Sequence, residues 1–350
     1  MKHILIIKPS SMGDVVHAFP AVHALLTADS EYSVDWVIHP AFAELLDYLP
    51  GIRRKILFRR GELGKLNTCI PALRELLREL RRERYDAVID LQGLFRSALT
   101  GLMARGGCLY GPADAREFPA RMCYRRKLRF PEKHAHAVEK NCAMIREFAG
   151  LAEISPEYHL PEVSVYSAAA EKLLNQAGLQ GKKWIALAPG ARWKTKQWPP
   201  EFFADCAGKI AERLPDLRFA LLGSPAEQSL CSRVRDAASS AGMQLVDLCG
   251  KTSSGELVEV IRRASLLLCN DSGPMHLAAA VETPVAALFG PTDPILTGPH
   301  GRNCRVIQPE LDCIKCLRKR CETEKCHNVV SPFRAAEQVC ELLESGEERK

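Results

Sequence analysis

Residues 2–22 read KHILIIKPSSMGDVVHAFPAV, in which an apolar run typical of a buried strand continues into a loop of small residues. Asp14 ends that loop, at the place where a helix would begin. A loop that binds phosphate here would present backbone N–H groups and positive charge. The carboxylate of Asp14 therefore indicates a role other than phosphate binding for this loop.

The alternation of short apolar runs with helical patterns continues along the chain. Nine runs predict strands: HILIIK, VDWVI, KILF, DAVIDL, WIALA, FALLG, LVDLC, LLLC and VAALF. Helical patterns lie between them, for example from Pro71 to Arg84, where leucines recur on one face. This alternation predicts an α/β protein with parallel sheets covered by helices on both sides.

The pattern runs twice, which predicts two domains. One series ends near Leu151, and the second starts at Trp184. The segment between them contains two prolines and little periodicity, so we expect a linker near residues 157–165. The predicted domains span residues 1–160 and 166–330.

A last amphipathic helix is predicted over residues 332–345, and we expect it to pack back on the first domain. Open parallel sheets bind ligands at the carboxyl ends of their strands. Two such domains are therefore expected to face each other across a cleft that holds the active site.

Length and composition narrow the class of protein. With 350 residues and 47% hydrophobic residues, the chain can bury a large core. Lys2 and a short apolar run do not make a signal peptide, and no apolar stretch of about 18 residues is present. We therefore expect a cytoplasmic protein.

Positive charge is concentrated in residues 51–133. This window holds 20 lysines and arginines against 9 acidic residues, a net charge of +11 in a chain whose total is +6. A solvated basic helix face is one explanation. The other is a surface for phosphorylated lipid, an anionic membrane or nucleic acid, of which nucleic acid is disfavoured because no recognition-helix pattern or aromatic-interleaved basic ribbon appears.

The stretch NDSGPMHLAAA, residues 270–280, predicts an anion site. Asp271 or Ser272 can cap a helix that begins at Gly273 or Pro274. The free N–H groups and the dipole of that helix attract a phosphate. His276 lies one turn further along and either faces the same ligand or is a buried core histidine.

A cluster of cations in APGARWKTKQWP suits a diphosphate, with a solvated loop as the alternative. Glu227 in GSPAE either binds ribose hydroxyls or only supplies first-turn helix charge. The sequence contains no G-x-G-x-x-G, no P-loop and no Asp-x-Asp. Cations and a helix terminus, rather than a chelated metal, would therefore neutralise the leaving group.

The ordered motifs SSMGDVVHAFP, DLQGLFRSA, AREF, PGARWKTKQW, GSPAE, NDSGPMHLAAA and FGPTDP resemble those of the ADP-heptose:lipopolysaccharide heptosyltransferases, glycosyltransferase family 9. The likeness runs from Met1 to about Asp293. SSMGDV is most similar to heptosyltransferase I, and NDSGPMH also resembles heptosyltransferase II. The resemblance implies the GT-B fold of two Rossmann-like, doubly wound parallel-sheet domains.

The resemblance also implies roles for individual residues. It makes Asp14 the general base. The donor-binding residues that it implies are Met12, Gly13, Arg192, Lys194, Lys196, Glu227, Asp271, Ser272, Gly273 and His276, although the family often has a small hydroxyl residue at the position of Arg192. The acceptor-binding residues that it implies are Ser10, Ser11, Arg59, Arg60, Lys65, Gln92 and Arg116.

The chemistry agrees with these roles. A sugar hydroxyl is a poor nucleophile at neutral pH, so it needs a carboxylate base, and a departing nucleotide diphosphate needs positive potential. The resemblance implies inverting transfer of L-glycero-D-manno-heptose from ADP-heptose to Kdo-lipid A, with no cofactor required, by a cytoplasmic enzyme peripheral on the inner membrane.

Three alternatives stay open. They are heptosyltransferase II, another nucleotide-sugar transferase or epimerase of the same fold, and a nucleotide-sugar binding protein without turnover.

Four cysteines form a separate motif. Cys313, Cys316, Cys321 and Cys326 have the spacing C-x2-C-x4-C-x4-C. Four thiolates so close together can hold a structural zinc ion or an iron–sulfur cluster. Free thiols and disulfides are the alternatives, of which a cytosolic setting disfavours disulfides.

Overall fold

The computed structural model describes residues 2–28, 32–65, 67–130, 135–323 and 325–347. It divides into two compact units, Met1–Pro161 and Glu162–Lys350. Among the described residues, no helix combines the length and the apolar character that crossing a bilayer requires.

The first unit is built on a six-stranded sheet of order β3-β2-β1-β4-β5-β6, in which every pairing is parallel. Its strands are β1 (Lys2–Ile7), β2 (Tyr32–Ile38), β3 (Ile52–Leu57), β4 (Tyr85–Asp90), β5 (Gly106–Pro112) and β6 (Arg126–Leu128). Strand order reverses between β1 and β4, and a doubly wound sheet binds its ligand at such a switch point. A ligand is therefore expected at the loops that follow β1 and β4.

Seven α-helices cover this sheet. They are α1 (Met12–Val16), α2 (Phe19–Ala28), α3 (Arg60–Leu63), α4 (Cys69–Arg81), α5 (Phe95–Met103), α6 (Phe118–Cys123) and α7 (Ala137–Ala149), with a 3₁₀ segment at Pro40–Tyr48, all within the described residues. The helix predicted from residue 71 is α4, whose Leu76 and Leu80 pack with Leu5 and Ile7 of β1 in one core. Apolar residues four apart meet on one helix face, which is why this helix formed where the leucine spacing indicated.

The second unit repeats the topology. Its sheet has the order β12-β11-β10-β7-β8-β9 and is also parallel throughout. The strands are β7 (Trp184–Ala188), β8 (Arg218–Leu221), β9 (Val246–Asp247), β10 (Leu266–Asn270), β11 (Val285–Leu288) and β12 (Cys304–Ile307). Strand order reverses between β7 and β10, so the two halves share one doubly wound plan, as the sequence predicted.

Eight α-helices belong to the described part of the second unit. They are α8 (Ser164–Gln176), α9 (Pro200–Arg213), α10 (Gln228–Ser240), α11 (Ser254–Arg262), α12 (Gly273–Ala280), α13 (Pro294–Thr297), α14 (Lys325–Asn328) and α15 (Pro332–Glu347). Two 3₁₀ turns, Lys194–Lys196 and Pro225–Glu227, lie in the loops after β7 and β8.

All nine predicted strands are present, whereas β5, β6 and β12 were missed. These three are edge or near-edge strands with mixed polarity, and β5 begins with the exposed Gly106 and Gly107. Glycine and charged residues weaken a strand pattern in the sequence. Hydrogen bonds to the backbone of a neighbouring strand stabilise these three strands although their side-chain patterns are weak.

The last helix contributes to the core of the second unit. The apolar face of α15 carries Ala335, Val339 and Cys340, which are buried in the core of the second unit beside Phe203 of α9. This face of α15 therefore belongs to the core of the second unit, and packing of the helix on the first domain stays a prediction.

Candidate active site

Asp14 lies in the first turn of α1, directly after the loop that ends β1. Its Oδ2 accepts hydrogen bonds from the backbone N–H and the hydroxyl of Ser11, each at 2.8 Å. This is the reciprocal bond of a capping box, so the side chain is held in one place. Within the described part of the chain, Oδ1 accepts no hydrogen bond, and that oxygen is available to a ligand.

Lys8 is a buried cation beneath this loop. Its Nζ donates to the carbonyl oxygen of Leu91 at 2.6 Å, which ties the end of β1 to the end of β4. Burial lowers the pKa of Lys8, and the charges of Asp14 and Asp90 oppose that effect. The fold therefore fixes the Lys8 amine where the loops after β1 and β4 meet.

Asp90 organises the loop after β4. It accepts from Ser97 Oγ and from the phenol of Tyr124, both at 2.8 Å, and from the N–H of Gln92 at 2.8 Å. Burial raises the pKa of Asp90, and these hydrogen bonds act in the opposite direction. Gln92 is thereby placed so that its Oε1 accepts from Ser10 N–H at 3.4 Å.

Three of the predicted acceptor residues line one small pocket in the first unit. Ser10, Arg60 and Gln92 share it with Arg96 and Ser97. Ser10 and Gln92 come from the loops after β1 and β4, Arg60 begins α3 after β3, and Arg96 and Ser97 lie in the first turn of α5. They all follow strands that end at the same edge of the sheet. The structure thus assembles a polar site at the switch point of this unit.

The other predicted acceptor residues do not line that pocket. Arg59 lies 3.9 Å from the carboxylate of Glu62 and 3.7 Å from that of Glu75. Lys65 and Arg116 are exposed. Ser11 contributes by holding Asp14 and is not among the pocket residues.

In the second unit, Lys196 and Asp271 form a close ion pair. The Lys196 Nζ lies 2.6 Å from Asp271 Oδ2, with side chains only 16% and 7% exposed. The hydroxyl of Thr292 donates to the same oxygen. Two predicted donor residues are therefore together, but the charge of Lys196 is matched by a carboxylate.

Asn270 fixes the two loops that carry this pair. Its Nδ2 donates to the carbonyl oxygen of Pro189 at 2.7 Å, and its Oδ1 accepts from Trp198 N–H at 3.1 Å. The loop after β7 is thus bound to the end of β10, across the switch point of the second sheet. The sequence analysis missed this buried amide.

The helix predicted at residue 273 begins there. No side chain caps α12, because the hydroxyl of Ser272 donates backward to Asn270 O at 3.2 Å. Pro274 has no N–H, and the N–H of Met275 donates to Ser272 O at 3.2 Å, so the first turn offers an anion fewer N–H groups than the sequence predicted. His276 is buried within this helix.

Glu227 lies against the loop after β7. Its Oε2 accepts from Ser224 N–H at 2.7 Å and from the Ser224 hydroxyl at 2.8 Å. A Cβ added at Gly190 would overlap the Glu227 carboxylate, so the close approach requires glycine at that position. Arg192 and Lys194 in the same loop are exposed.

Residues 313–321, here called the cysteine loop, pack on these donor-side loops. The N–H of Lys315 donates to Gly290 O at 3.0 Å, and that of Leu317 donates to Pro291 O at 2.7 Å. The hydroxyl of Thr195 donates to Arg318 O at 2.8 Å. These three bonds attach the cysteine loop to the loops after β7 and β11.

The cysteine loop adds a cation that the sequence analysis did not identify. The Nζ of Lys319 lies 5.3 Å from the centre of the Trp193 ring, and the Nζ of Lys196 lies 4.8 Å from it. No carboxylate of the described residues pairs with Lys319. Nothing in the local sequence signals this position, because Trp193 is more than a hundred residues away in the chain.

The four cysteines of the C-terminal motif lie on the surface or are half-buried. No group of three or more potential metal ligands occurs among residues that the structure describes, and all 14 cysteines are free thiols. Cys313 and Cys316 are exposed, whereas Cys321 and Cys326 are half-buried. Burial raises the pKa of Cys326, and the other three thiols add to this effect.

Comparison with known proteins identifies the family. A family model described as "Glycosyltransferase family 9 (heptosyltransferase)" matches residues 73–327. This chain belongs to glycosyltransferase family 9. It is therefore a glycosyltransferase of the heptosyltransferase family, and the resemblance seen in the motifs is confirmed.

Individual members of the family agree with this assignment. The chain is 31% identical to lipopolysaccharide heptosyltransferase 1 of Pseudomonas aeruginosa, over 91% of this chain and 87% of that protein. It is 30% identical to the Escherichia coli protein of the same description, over 92% and 98% of the two chains. The solved structure of E. coli heptosyltransferase WaaC with ADP superposes with a TM-score of 0.77 at 26% identity, covering 97% of this chain and 99% of that one. The predicted GT-B fold is thereby confirmed.

Proposed function

We propose that this family 9 glycosyltransferase moves L-glycero-D-manno-heptose from ADP-heptose to Kdo-lipid A and inverts the anomeric centre. The observation that carries the proposal is the Asp14 carboxylate, held through Oδ2 by Ser11 and open at Oδ1. The relatives described as lipopolysaccharide heptosyltransferase 1 support the sugar and the lipopolysaccharide acceptor.

Asp14 acts as the general base in this proposal. Its Oδ1 takes the proton of the acceptor hydroxyl while the hydroxyl oxygen forms a bond to the anomeric carbon. The bond from that carbon to the β-phosphate oxygen breaks, and ADP departs with the electron pair. A single displacement of this kind attacks from the opposite face and therefore inverts the configuration.

The second unit binds the donor. Glu227 binds the ribose, and the first turn of α12, with Ser272 and Gly273, binds the diphosphate. Since Lys196 is matched by Asp271, the additional positive charge on the diphosphate comes from Arg192, Lys194 and Lys319.

The first unit binds the acceptor. Ser10, Arg60 and Gln92 contact the acceptor sugars from their shared pocket. Arg59, Lys65 and Arg116 lie outside that pocket and keep the acceptor-side role that the resemblance implies. Met12 and Gly13, which begin α1 beside Asp14, keep the donor-side role that the resemblance implies.

The acceptor is a lipid, so the enzyme is proposed to work as a peripheral protein on the cytoplasmic face of the inner membrane. Six large apolar side chains of the first unit are between 40% and 71% exposed: Ile70, Phe95, Leu99, Leu102, Phe118 and Met122. They lie on α4, α5 and α6, inside the window of net charge +11. Apolar side chains among basic ones favour an anionic bilayer surface.

Product analysis tests the proposal. Purified protein is incubated with ADP-heptose, with and without Kdo-lipid A, and the products are read by mass spectrometry. One heptose added to Kdo-lipid A supports the proposal. A changed nucleotide sugar without acceptor identifies an epimerase, transfer only to an acceptor that already carries a heptose identifies heptosyltransferase II, and donor binding without product identifies a binding protein.

A further inference from the structure

An apolar groove of about 430 Å³ lies on the surface of the first unit. Its volume falls in the range of roughly 300–1,000 Å³ that is usual for ligand sites. Helices α3, α4 and α5 form its walls. The lining side chains are Phe58, Leu63, Leu73, Leu76, Leu99, Leu102 and Met103, together with Arg81, Arg96 and Thr100.

The groove continues from the predicted acceptor pocket. Phe58, Arg96 and Thr100 line both the groove and the pocket that contains Ser10 and Gln92. The pocket encloses only about 20 Å³, so a sugar would lie over its opening, beside Ser10 and Gln92, with the apolar end of the same molecule in the groove. One end of the groove therefore lies at the predicted sugar site, and the other end lies on the apolar surface of α4 and α5.

One stripe of α5 is apolar and exposed. Phe95, Leu99 and Leu102 are spaced like residues of one helix face, and they are 40%, 42% and 54% exposed. The opposite face, with Ala98 and Gly101, is buried against the sheet. The face with Ala98 and Gly101 already packs on the sheet. The exposed stripe with Phe95, Leu99 and Leu102 is therefore available to an apolar ligand.

Two arginines, Arg81 and Arg96, line the groove. The Nε of Arg81 donates to Met103 O at 3.2 Å, which holds the guanidinium at the rim. Neither Arg81 nor Arg96 forms an ion pair with a described carboxylate, whereas Arg54 and Arg59 on the same surface do. A phosphate or other anion linked to an apolar chain would match this charge.

We propose that the groove binds an acyl chain of the anionic lipid acceptor, with Arg81 and Arg96 contacting its phosphate groups. The inference rests on the proposed function and extends it from the sugar to the lipid part of the substrate. It assigns to α4 and α5 the recognition of acylation, separate from the sugar site at Ser10 and Gln92.

The test compares two acceptors, Kdo-lipid A and its fully deacylated form, in the same detergent. Leu99→Gln and Leu102→Gln replace exposed side chains that the fold does not need. Each should lower kcat/KM for the acylated acceptor on the order of ten-fold more than for the deacylated one. Val165→Gln is the matched control, because Val165 is 66% exposed on α8 of the second unit. It should leave the ratio of kcat/KM for the acylated acceptor to kcat/KM for the deacylated acceptor at the wild-type value.

The outcomes separate the two levels of the proposal. If wild-type protein transfers heptose to neither acceptor, the proposed function is wrong, and the proposal that the groove binds an acyl chain of that acceptor is overturned with it. If it transfers to both, and the Leu99 and Leu102 variants keep the wild-type ratio, the groove assignment alone is overturned.

Cross-linking gives a second readout that does not need a folded variant. Kdo-lipid A with a photoreactive acyl chain should label peptides of α4 or α5, and labelling elsewhere contradicts the proposal. A wild-type dimer that Leu102→Gln converts to monomer would show that a second copy of the chain covers the groove, which also overturns it.

Discussion

Lys196 and Asp271 form an ion pair between the loop after β7 and the end of β10, with Nζ 2.6 Å from Oδ2. Both side chains are largely shielded from water, and Thr292 donates to the same carboxylate oxygen. The charge of Lys196 is therefore already balanced within the protein. The ion pair joins the loop after β7 to the end of β10. We expect the net attraction for a donor diphosphate to come from other groups.

Removing one member of this pair should destabilise the protein. Lys196→Met leaves the buried Asp271 carboxylate without its cation, and Asp271→Asn leaves the lysine without its anion. Each change is expected to lower the free energy of unfolding by about 3–5 kcal/mol. Urea unfolding of both variants and of the double variant measures the coupling between the two side chains. Additive losses would show that the two charges do not stabilise each other.

Lys319 is expected to bind the donor diphosphate. Lys319→Ala removes an unmatched positive charge beside Trp193, so it should raise the donor KM roughly ten-fold, the effect of one charge-assisted contact, and change the acceptor KM little. Lys182→Ala, an exposed lysine before β7, is the control. Equal effects of the two substitutions on the donor KM would exclude Lys319 from the donor site.

Asp14→Asn tests the base with little change to the fold. Asparagine can still accept the hydrogen bonds of Ser11 and cap α1, so stability and donor affinity should be retained. Turnover should fall on the order of 10²–10⁴-fold because the amide cannot take the acceptor proton. Glu153→Gln, at an exposed acid of the same unit, controls for the loss of a negative charge. A wild-type rate in Asp14→Asn would remove this residue as the base.

The sequence predicted the parts of the site that are local in the chain. Asp14 lies three residues after Ser11, and Gly273 begins a helix directly after a strand, so short-range patterns were sufficient for both. Lys8 and Lys319 were missed because their roles depend on contacts with Leu91 and Trp193, which are distant in the chain.

The packing partner of the C-terminal helix also depends on contacts between residues that are distant in the chain. The spacing of its apolar residues predicted that α15 would bury one face. Two domains were available as partners, and amphipathicity alone does not distinguish between them. The choice of α9 depends on how the second core is filled, with Val339 and Cys340 beside Phe203.

Arg59 and Arg60 are neighbours with different surroundings, and they should respond differently to charge reversal. Arg60 lines the pocket with Ser10 and Gln92, whereas Arg59 lies near two glutamates. Arg60→Glu should raise the acceptor KM by on the order of ten-fold or more, since it places a negative charge next to an anionic acceptor. Arg59→Glu should have a smaller effect, and the donor KM should change little in either. A larger effect of Arg59→Glu would contradict the acceptor pocket described above.

Alkaline pH should destabilise the protein through its buried thiols. Burial raises the pKa of Cys142 to about 12 and that of Cys304 to about 12, from an ordinary value of 9.0. A raised pKa keeps the native thiol protonated after the unfolded one has ionised. This contribution to stability is complete below pH 9.0 and is lost as the pH rises toward about 12. Each thiol should add a slope of about 1.4 kcal/mol per pH unit in that window.

Urea unfolding between pH 8 and pH 11 measures this slope. Cys142→Ala and Cys304→Ala should each reduce it by about 1.4 kcal/mol per pH unit, because the proton difference between the folded and unfolded states is removed. Val138→Ala, at a buried position of α7 near Cys142 in the chain, loses packing but no ionisable group. It should lower the free energy of unfolding equally at every pH, and an unchanged slope in both cysteine variants would show that these thiols do not govern alkaline stability.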